Sequence, residues 1–250
     1  MVYQLFYWPE IQGRGEYVRL ALEEAGAEYV DVARKSGKGF GVAALMRILN
    51  DRKAAHRPFA PPFLQAGRLM IGQTANILLF LGARLRLAPK EEAGRLWTHE
   101  LQLTLADFLV EIHDTHHPVG SGLYYEDQKK EARRRTQDFL ENRLPKFLGY
   151  FESLLARNKR GQGYLAGSRL TYVDLSMFQV IAGLNYAFPH AMSRVTRAHK
   201  RLLSLHERVR ERPRIAAYLA SERRIPFNVE GIFRHYPELD ATWSRPPDRK

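Results

Sequence analysis

Residues 61–77, Pro-Pro-Phe-Leu-Gln-Ala-Gly-Arg-Leu-Met-Ile-Gly-Gln-Thr-Ala-Asn-Ile, constrain this chain more than any other stretch. They read as a short strand, a tight turn at Ala66-Gly67, a second strand over residues 68–71 and then a helix. Leu69 and Ile71 alternate with the two-residue period of a half-buried strand. Ile77, Leu78 and Leu81 recur at helical spacing, and Thr74 is placed to cap that helix. A proline at a strand entry marks a locked turn, one of the few settings in which a cis peptide occurs. The polar pair Gln73-Thr74 falls where free backbone N–H groups and the helix dipole point outward, an arrangement that binds anions. Two readings stand side by side: a hairpin followed by a capped helix, or the same hairpin carrying an anion site.

The flanking sequence sets this stretch in a small open sheet. Residues 2–8 crowd aromatic and aliphatic side chains into a strand closed by Pro9. Gly13-Arg14-Gly15 turns into a helix with an apolar stripe of Val18, Ala21, Leu22 and Ala25, and Gly26 is a ready C-cap. Residues 29–32 form a second strand, 35–41 a glycine- and lysine-rich loop, 42–49 a helix, and 50–58 a polar connection. The order is strand, helix, strand, helix, strand, strand, helix, ending near Arg84. Beyond a linker at 85–92 that contains Pro89, the remainder reads as helices. They cover 93–113, 129–155 with a kink or break at Pro145, 170–188, 197–209 and 215–221. Thr171 and Asp174 open the most apolar of them with a capping-box signature. The last residues, 237–250, are polar and contain prolines, a strapped-down or frayed tail.

Composition narrows the classes. The 250 residues, 45% of them hydrophobic, suffice for one large or two modest domains with a real core. No run reaches the length of a membrane span, and the first residues lack the basic and apolar regions of a signal peptide. The chain has no cysteine, which excludes disulfides, thiolate metal sites and a cysteine nucleophile. These features lead to the expectation of a soluble, cytoplasmic protein. The net charge of +12 is concentrated late, in Arg194, Arg197, Lys200, Arg201, Arg208, Arg210, Arg212, Arg214, Arg223 and Arg224. Leu202, Leu203, Leu205 and Val209 interleave with them, so a solvated face on an amphipathic helix competes with a nucleic-acid surface. No nucleic-acid-binding signature accompanies the charge. His113 and His117 are four apart, but a third ligand at proper spacing is missing, and no metal is expected.

Three segments together resemble the glutathione S-transferases, over nearly the whole chain. Tyr7-Trp8-Pro9 followed by Gly13-Arg14-Gly15-Glu16 is similar to that family's strand-end tyrosine and the start of its first helix. Pro62 and Gln73, eleven positions apart, match its cis-proline and glutamine. Residues 167–175 are similar to the capped core helix of its helical domain. The resemblance, to a tyrosine-type, bacterial-like cytosolic member, implies an N-terminal thioredoxin-like α/β domain over 1–84 that binds glutathione. An all-α domain over 93–250 with the electrophile pocket would follow it.

The resemblance also implies a chemistry. A thiol with a pKa near ~8.5 is mostly protonated at neutral pH. Lowering it by about two units takes roughly 2.7 kcal/mol of preferential thiolate stabilisation. A hydroxyl donating to sulfur contributes about 1.5–3 kcal/mol, and a guanidinium can add to that. The family uses tyrosine, serine or cysteine here; no serine or threonine precedes Ser36, and Tyr3, Tyr7, Tyr17 and Tyr29 are the early hydroxyls. Tyr7, at the end of the first strand, is the expected donor, with Arg14 beside it. As bland alternatives, Tyr7 is a core aromatic and Arg14 a surface arginine. Glutathione would be held by Pro61, Pro62, Gln73 and Thr74, with Lys38 (or Lys35) at its glycyl end. Asp107 would reach the glutathione amine of a second subunit in a homodimer; otherwise it is an exposed helix acid. The electrophile pocket is expected near Ile11, Gln12, residues 114–117 and Phe233.

Departures from the family pattern are as informative. One extra residue separates Tyr7 from Gly13, and threonine replaces the usual serine at 74. Pro61 stands where the family offers a backbone N–H to glutathione, and proline has none. The loss costs about 0.5–1.5 kcal/mol, up to roughly tenfold in affinity. Alternatively glutathione sits differently there. A non-catalytic binder of glutathione or of an apolar ligand on the same scaffold is the alternative function, since function belongs to the site and not to the fold.

Overall fold

The computed structural model describes residues 1–159, 161 and 163–240. Four strands, β1 (Tyr3–Phe6), β2 (Tyr29–Asp31), β3 (Phe63–Ala66) and β4 (Leu69–Gly72), form one sheet in the order β2-β1-β3-β4. β1 runs parallel to β2, while β3 is antiparallel to both β1 and β4. Period-two alternation divides their side chains between the two faces. Phe6 and Phe63 stack with ring centroids 4.8 Å apart and pack with Leu45 of α2 (Gly41–Leu49). Leu5 and Leu64 face the opposite way, into the main core with Val18 and Leu22 of α1 (Gly15–Ala25) and Leu78 of α3 (Thr74–Arg84). Gly26 ends α1 with φ 63°, the left-handed geometry glycine adopts without strain.

After Arg84 the described chain is helical: α4 (Glu92–Asp114), α5 (Lys129–Asp138), α6 (Leu144–Arg157), α7 (Tyr172–Ala187), α8 (Pro189–Val195), α9 (Lys200–Arg210), α10 (Pro213–Leu219) and α11 (Pro237–Asp240). The helix expected over 129–155, with a kink or break at Pro145, is two helices joined by a π-helical turn at Phe139–Arg143, just before that proline. Pro145 cannot donate to the carbonyl of Glu141, and the wider turn absorbs the missing bond. The helix expected from 197 starts at Lys200, after a 3-10 turn over Thr196–Ala198. α7 is buried on nearly all sides and forms the centre of the helical part. Its start carries the expected capping box: Asp174 accepts the N–H groups of Thr171 (2.7 Å) and Leu165 (2.8 Å) and the Thr171 hydroxyl (2.8 Å).

The tail is strapped down as far as it is described. Asp240 accepts the N–H groups of His190 (2.8 Å) and Ala191 (3.1 Å) at the start of α8. Tyr236 stacks on Tyr125 at 3.8 Å. Residues 241–250 of the expected tail lie outside the described residues.

Candidate functional site

Strand register gathers the sequence motifs at one end of the sheet. Phe6 pairs with Phe63, and Phe63 with Gly72. Continuing each antiparallel ladder by one residue sets Tyr7 and Gln73 on either side of Pro62. The Pro61–Pro62 peptide is cis. Segments that are distant in sequence thus end on a common edge because three strands stop together.

Tyr7 is seated by the turn that follows it. A Cβ at Gly13 would overlap the Tyr7 hydroxyl, and one at Gly15 would overlap its ring, so both positions need glycine for the ring to lie there. Gly13 also has φ 42°. With the ring so placed, the Tyr7 oxygen accepts the backbone N–H of Arg14 at 2.9 Å. Burial raises the Tyr7 pKa, partly opposed by that N–H and by the charges of Arg14 and Arg19. The phenol therefore keeps its proton at neutral pH, and with one lone pair engaged its O–H is free to donate. The other early tyrosines are placed differently. Tyr7 is as buried as Tyr3, but Tyr3 and Tyr17 pack into the main core, and the Tyr29 hydroxyl donates to Glu23 at 2.9 Å.

The start of α3 corrects one expectation. Gln73, not Thr74, is the N-cap residue, with φ 68° and no side-chain cap hydrogen bond. Thr74 is the first helical residue, and its hydroxyl points to the carbonyl of Arg14 at 3.5 Å. That contact sets the start of α3 beside the turn that holds Tyr7. The N–H groups of the first helical turn have no intrahelical acceptor by geometry, so an uncapped, half-exposed helix end faces outward next to Tyr7 and Arg14. Such an end attracts a carboxylate.

Other expected residues are spread more widely. Lys35 and Lys38 are exposed in the loop before α2, and no hydrogen bond or ion pair of the described residues links them to Tyr7, Arg14 or Thr74. Pro61 is half-buried. Asp107 is exposed on α4, on the face that carries Leu103 and Val110 and away from the buried Leu105, Phe108 and Leu109. Gln12, expected near the electrophile pocket, is tied into the interior by its side chain. It is buried, its amide nitrogen donating to the Ile225 carbonyl and its amide oxygen accepting from Gln179 at 2.7 Å. Phe233 is likewise buried, packed where Gly183 leaves room for its ring.

The three histidines converge at the end of α4. His116 Nε2 lies 2.9 Å from the Ile232 carbonyl, and His116 Nδ1 lies 2.8 Å from His117 Nδ1. A carbonyl can only accept, so Nε2 of neutral His116 carries its proton and its Nδ1 accepts from His117. His117 Nε2 is left with a free lone pair. Burial holds His116 down to about 3 and His113 down to about 4, with the neighbouring charges of Arg234 and Arg14 acting in the same direction. All three are neutral at pH 7. Among the described residues no group of three or more His, Cys, Asp or Glu side chains is arranged to hold a metal ion.

Much of the late basic excess is internally paired. Arg201 pairs with Glu152, Arg210 with Glu207, Arg212 with Glu24, Arg223 with Glu23 and Arg224 with Glu16. A cavity of about 500 Å³ between Glu23, Tyr29, Asp31, Arg34 and Arg223 contains none of the expected site residues.

Sequence reasoning missed the role of Gly13 and Gly15 as the seat of the Tyr7 ring, and the buried charges Glu16 and Arg19. Two ionisable residues three apart within a stripe of Val18, Leu20 and Leu22 were the available signal for the latter.

Residues 113–222 match the family model described as glutathione S-transferase, C-terminal domain. The chain is 26% identical over 209 residues to a glutathione S-transferase of Plasmodium falciparum, covering 80% of this chain and 90% of that protein. It is 27% identical to glutathione S-transferase P of Bos taurus, covering 92% and 98%. The solved pi-class glutathione S-transferase of Onchocerca volvulus superposes with a TM-score of 0.66 at 23% identity, covering 88% of this chain and 92% of that one.

Proposed function

The chain belongs to the glutathione S-transferase family, and from that premise we propose that Tyr7 stabilises the glutathione thiolate for attack on small apolar electrophiles. The chain is a glutathione transferase with a thioredoxin-like N-terminal domain followed by an all-helical C-terminal domain. We place the first at residues 1–84 and the second at 93–250, with 85–92 between them.

The observation that carries the Tyr7 reading is its hydrogen-bond polarity. The Arg14 N–H occupies one lone pair of the phenol oxygen at 2.9 Å, and burial keeps the phenol protonated. A neutral hydroxyl so arranged donates to an anion and does not abstract a proton. Glutathione supplies the thiol; its proton leaves to solvent, and the sulfur lone pair forms the new bond as the electrophile's leaving group departs or its double bond opens. Arg14 adds positive charge on the same side. Gln73, Thr74 and the free N–H groups of α3 hold the γ-glutamyl carboxylate, beside the cis Pro62. Lys38 serves the glycyl carboxylate.

Pro61 favours a second reading, a non-catalytic binder, because it removes a backbone donor from the cradle. Thiolate absorbance of the glutathione complex separates the two. The catalytic reading expects thiolate in the native complex at pH 7 and its loss in Tyr7→Phe, with kcat/KM falling about 10- to 100-fold. A native complex with no thiolate at that pH rejects it.

We further propose a homodimer built on α4. Leu96, Leu103 and Val110 recur every seven residues and are all exposed, the 3.5-residue period that packs one helix along another. The stripe is about 20 Å long, and Asp107 lies beside it, where it would meet a neighbouring subunit. Phe59, 95% exposed just before Pro61, is a second apolar anchor. Replacing Leu103 and Val110 together by glutamate is expected to give a monomer in sedimentation; an unchanged sedimentation coefficient rejects this interface. Absence of cysteine supports a cytoplasmic site of action.

A further inference from the structure

Behind the Tyr7 ring a closed loop of buried polar groups joins the sheet, α1, α7 and the chain after α10. Arg19, fully buried, pairs with Asp31 at the end of β2 (2.8 Å) and with Glu16 one turn earlier (3.3 Å). Glu16, equally buried, accepts the Tyr218 hydroxyl of α10 (2.7 Å) and one nitrogen of Arg224. A second Arg224 nitrogen donates to the Gln179 amide oxygen in α7 (2.9 Å), and the Gln179 amide nitrogen donates to Gln12 (2.7 Å). Arg19 completes the circuit by donating to the carbonyls of Ile11 (3.4 Å) and Gln12 (3.3 Å).

Burying two guanidiniums and two carboxylates is costly, and a buried ion pair is by itself weak evidence for stability. What this arrangement does is immobilise one short loop. Gln12 is gripped by both its side chain and its carbonyl, two residues before the Arg14 N–H that orients the Tyr7 hydroxyl. The Arg19 guanidinium also lies 5.8 Å from the centre of the Tyr7 ring. The groups facing Tyr7 and this loop are Arg14 from the turn, Glu16, Tyr17 and Arg19 from α1, Asp31 after β2, and Tyr218 and Arg224 from the helical part. Across from them, His113 and Asp114 of α4 face Arg14.

We infer that Arg224 and Tyr218 are positioning residues for Tyr7, acting through Glu16, Gln179, Gln12 and Arg19 on the loop that aims its hydroxyl. The helical part of the chain thereby sets how strongly the other part stabilises a thiolate. This rests on the reading of Tyr7 as the thiolate's hydrogen-bond donor. Removing the Arg224 charge loosens the loop and leaves the negative charge of Glu16 less compensated near Tyr7. Both effects disfavour a thiolate.

The test is the pH titration of thiolate absorbance in the glutathione complex of the full chain, with saturation checked by calorimetry and thermal unfolding followed in parallel. Arg224→Gln is expected to raise the midpoint of thiolate formation by about 0.5–1 pH unit. Tyr218→Phe, which keeps the ring and so preserves packing, raises it by less, and Arg224→Lys restores part of the loss. Should Arg224→Gln fail to fold, Tyr218→Phe carries the test alone. A wild-type midpoint below that of free glutathione which the folded variants retain, with only the melting temperature changed, overturns the inference and leaves the Tyr7 reading intact. A wild-type midpoint equal to that of free glutathione overturns both.

Discussion

Two helices of this protein begin with a threonine in polar company, and the two ends are finished in opposite ways. At α7, Thr171 is the N-cap, Asp174 reaches back to it, and the whole group is buried. At α3, Thr74 has moved one position into the helix, Gln73 takes the N-cap position at φ 68° with no side-chain cap, and the end is open to solvent. The first satisfies its orphan donors from within the chain. The second leaves them for a ligand, and a non-glycine residue at positive φ costs of order 1–3 kcal/mol that only the surrounding structure sustains. A closed helix end reports on folding, an open and strained one on binding.

The contrast can be broken from either side. Asp174→Ala strands two buried N–H groups and a hydroxyl, and is expected to cost about 2–4 kcal/mol in denaturant unfolding. A cost below 0.5 kcal/mol on the same scale (about the scatter of ordinary surface changes) would mean that the closed end is dispensable.

A pH series sharpens the same point. Burial raises the Asp174 pKa to about 6. The folded value lies above the unfolded one, so this group's contribution is fully present below about pH 4 and is lost as pH rises through about 6. Measured against Asp174→Asn, wild-type stability should therefore gain about 1–3 kcal/mol between pH 7.5 and 4.5. A difference that is flat with pH would show the carboxylate to be solvated.

At the open end the readout changes. Thr74→Ala is expected to weaken glutathione binding about 5- to 10-fold in calorimetry while stability moves by under about 0.5 kcal/mol. Equal affinity in the variant would detach this helix end from the ligand. Gln73→Gly is the smallest effect. It relieves the positive φ and should stabilise the fold by about 0.5–1 kcal/mol while weakening binding; a loss of stability would show that Gln73 is not strained.

Residue by residue, the legible part of the site was the part written in near neighbours. Residues 61–77 announced two strands, a turn and a helix start because alternation, Gly67 and Thr74 are local signals. The capping box at Thr171 and Asp174 and the C-cap at Gly26 were readable for the same reason. Thr74 itself was misassigned by one position, since a cap depends on the backbone angles of its neighbour, and nothing in the residue types predicts φ 68° for a glutamine. The hydrogen bonding of Gln12 was not legible at all. Its fate depends on Gln179 and on the carbonyl of Ile225, more than a hundred and sixty residues away.

The sequence by itself determined the order of strands and helices from β1 to α4, that a tyrosine closes the first strand, and that cysteine chemistry is absent. Each of these follows from backbone preferences and side-chain chemistry within a few residues. Only the tertiary structure decided that Tyr7 and Gln73 flank Pro62, that Gly13 and Gly15 make a seat for a ring, and that a circuit of charged and polar groups from distant elements closes behind it. Those depend on strand register and on which helix faces meet. The free energy of packing the whole chain fixes such contacts, and no local stretch of sequence carries it.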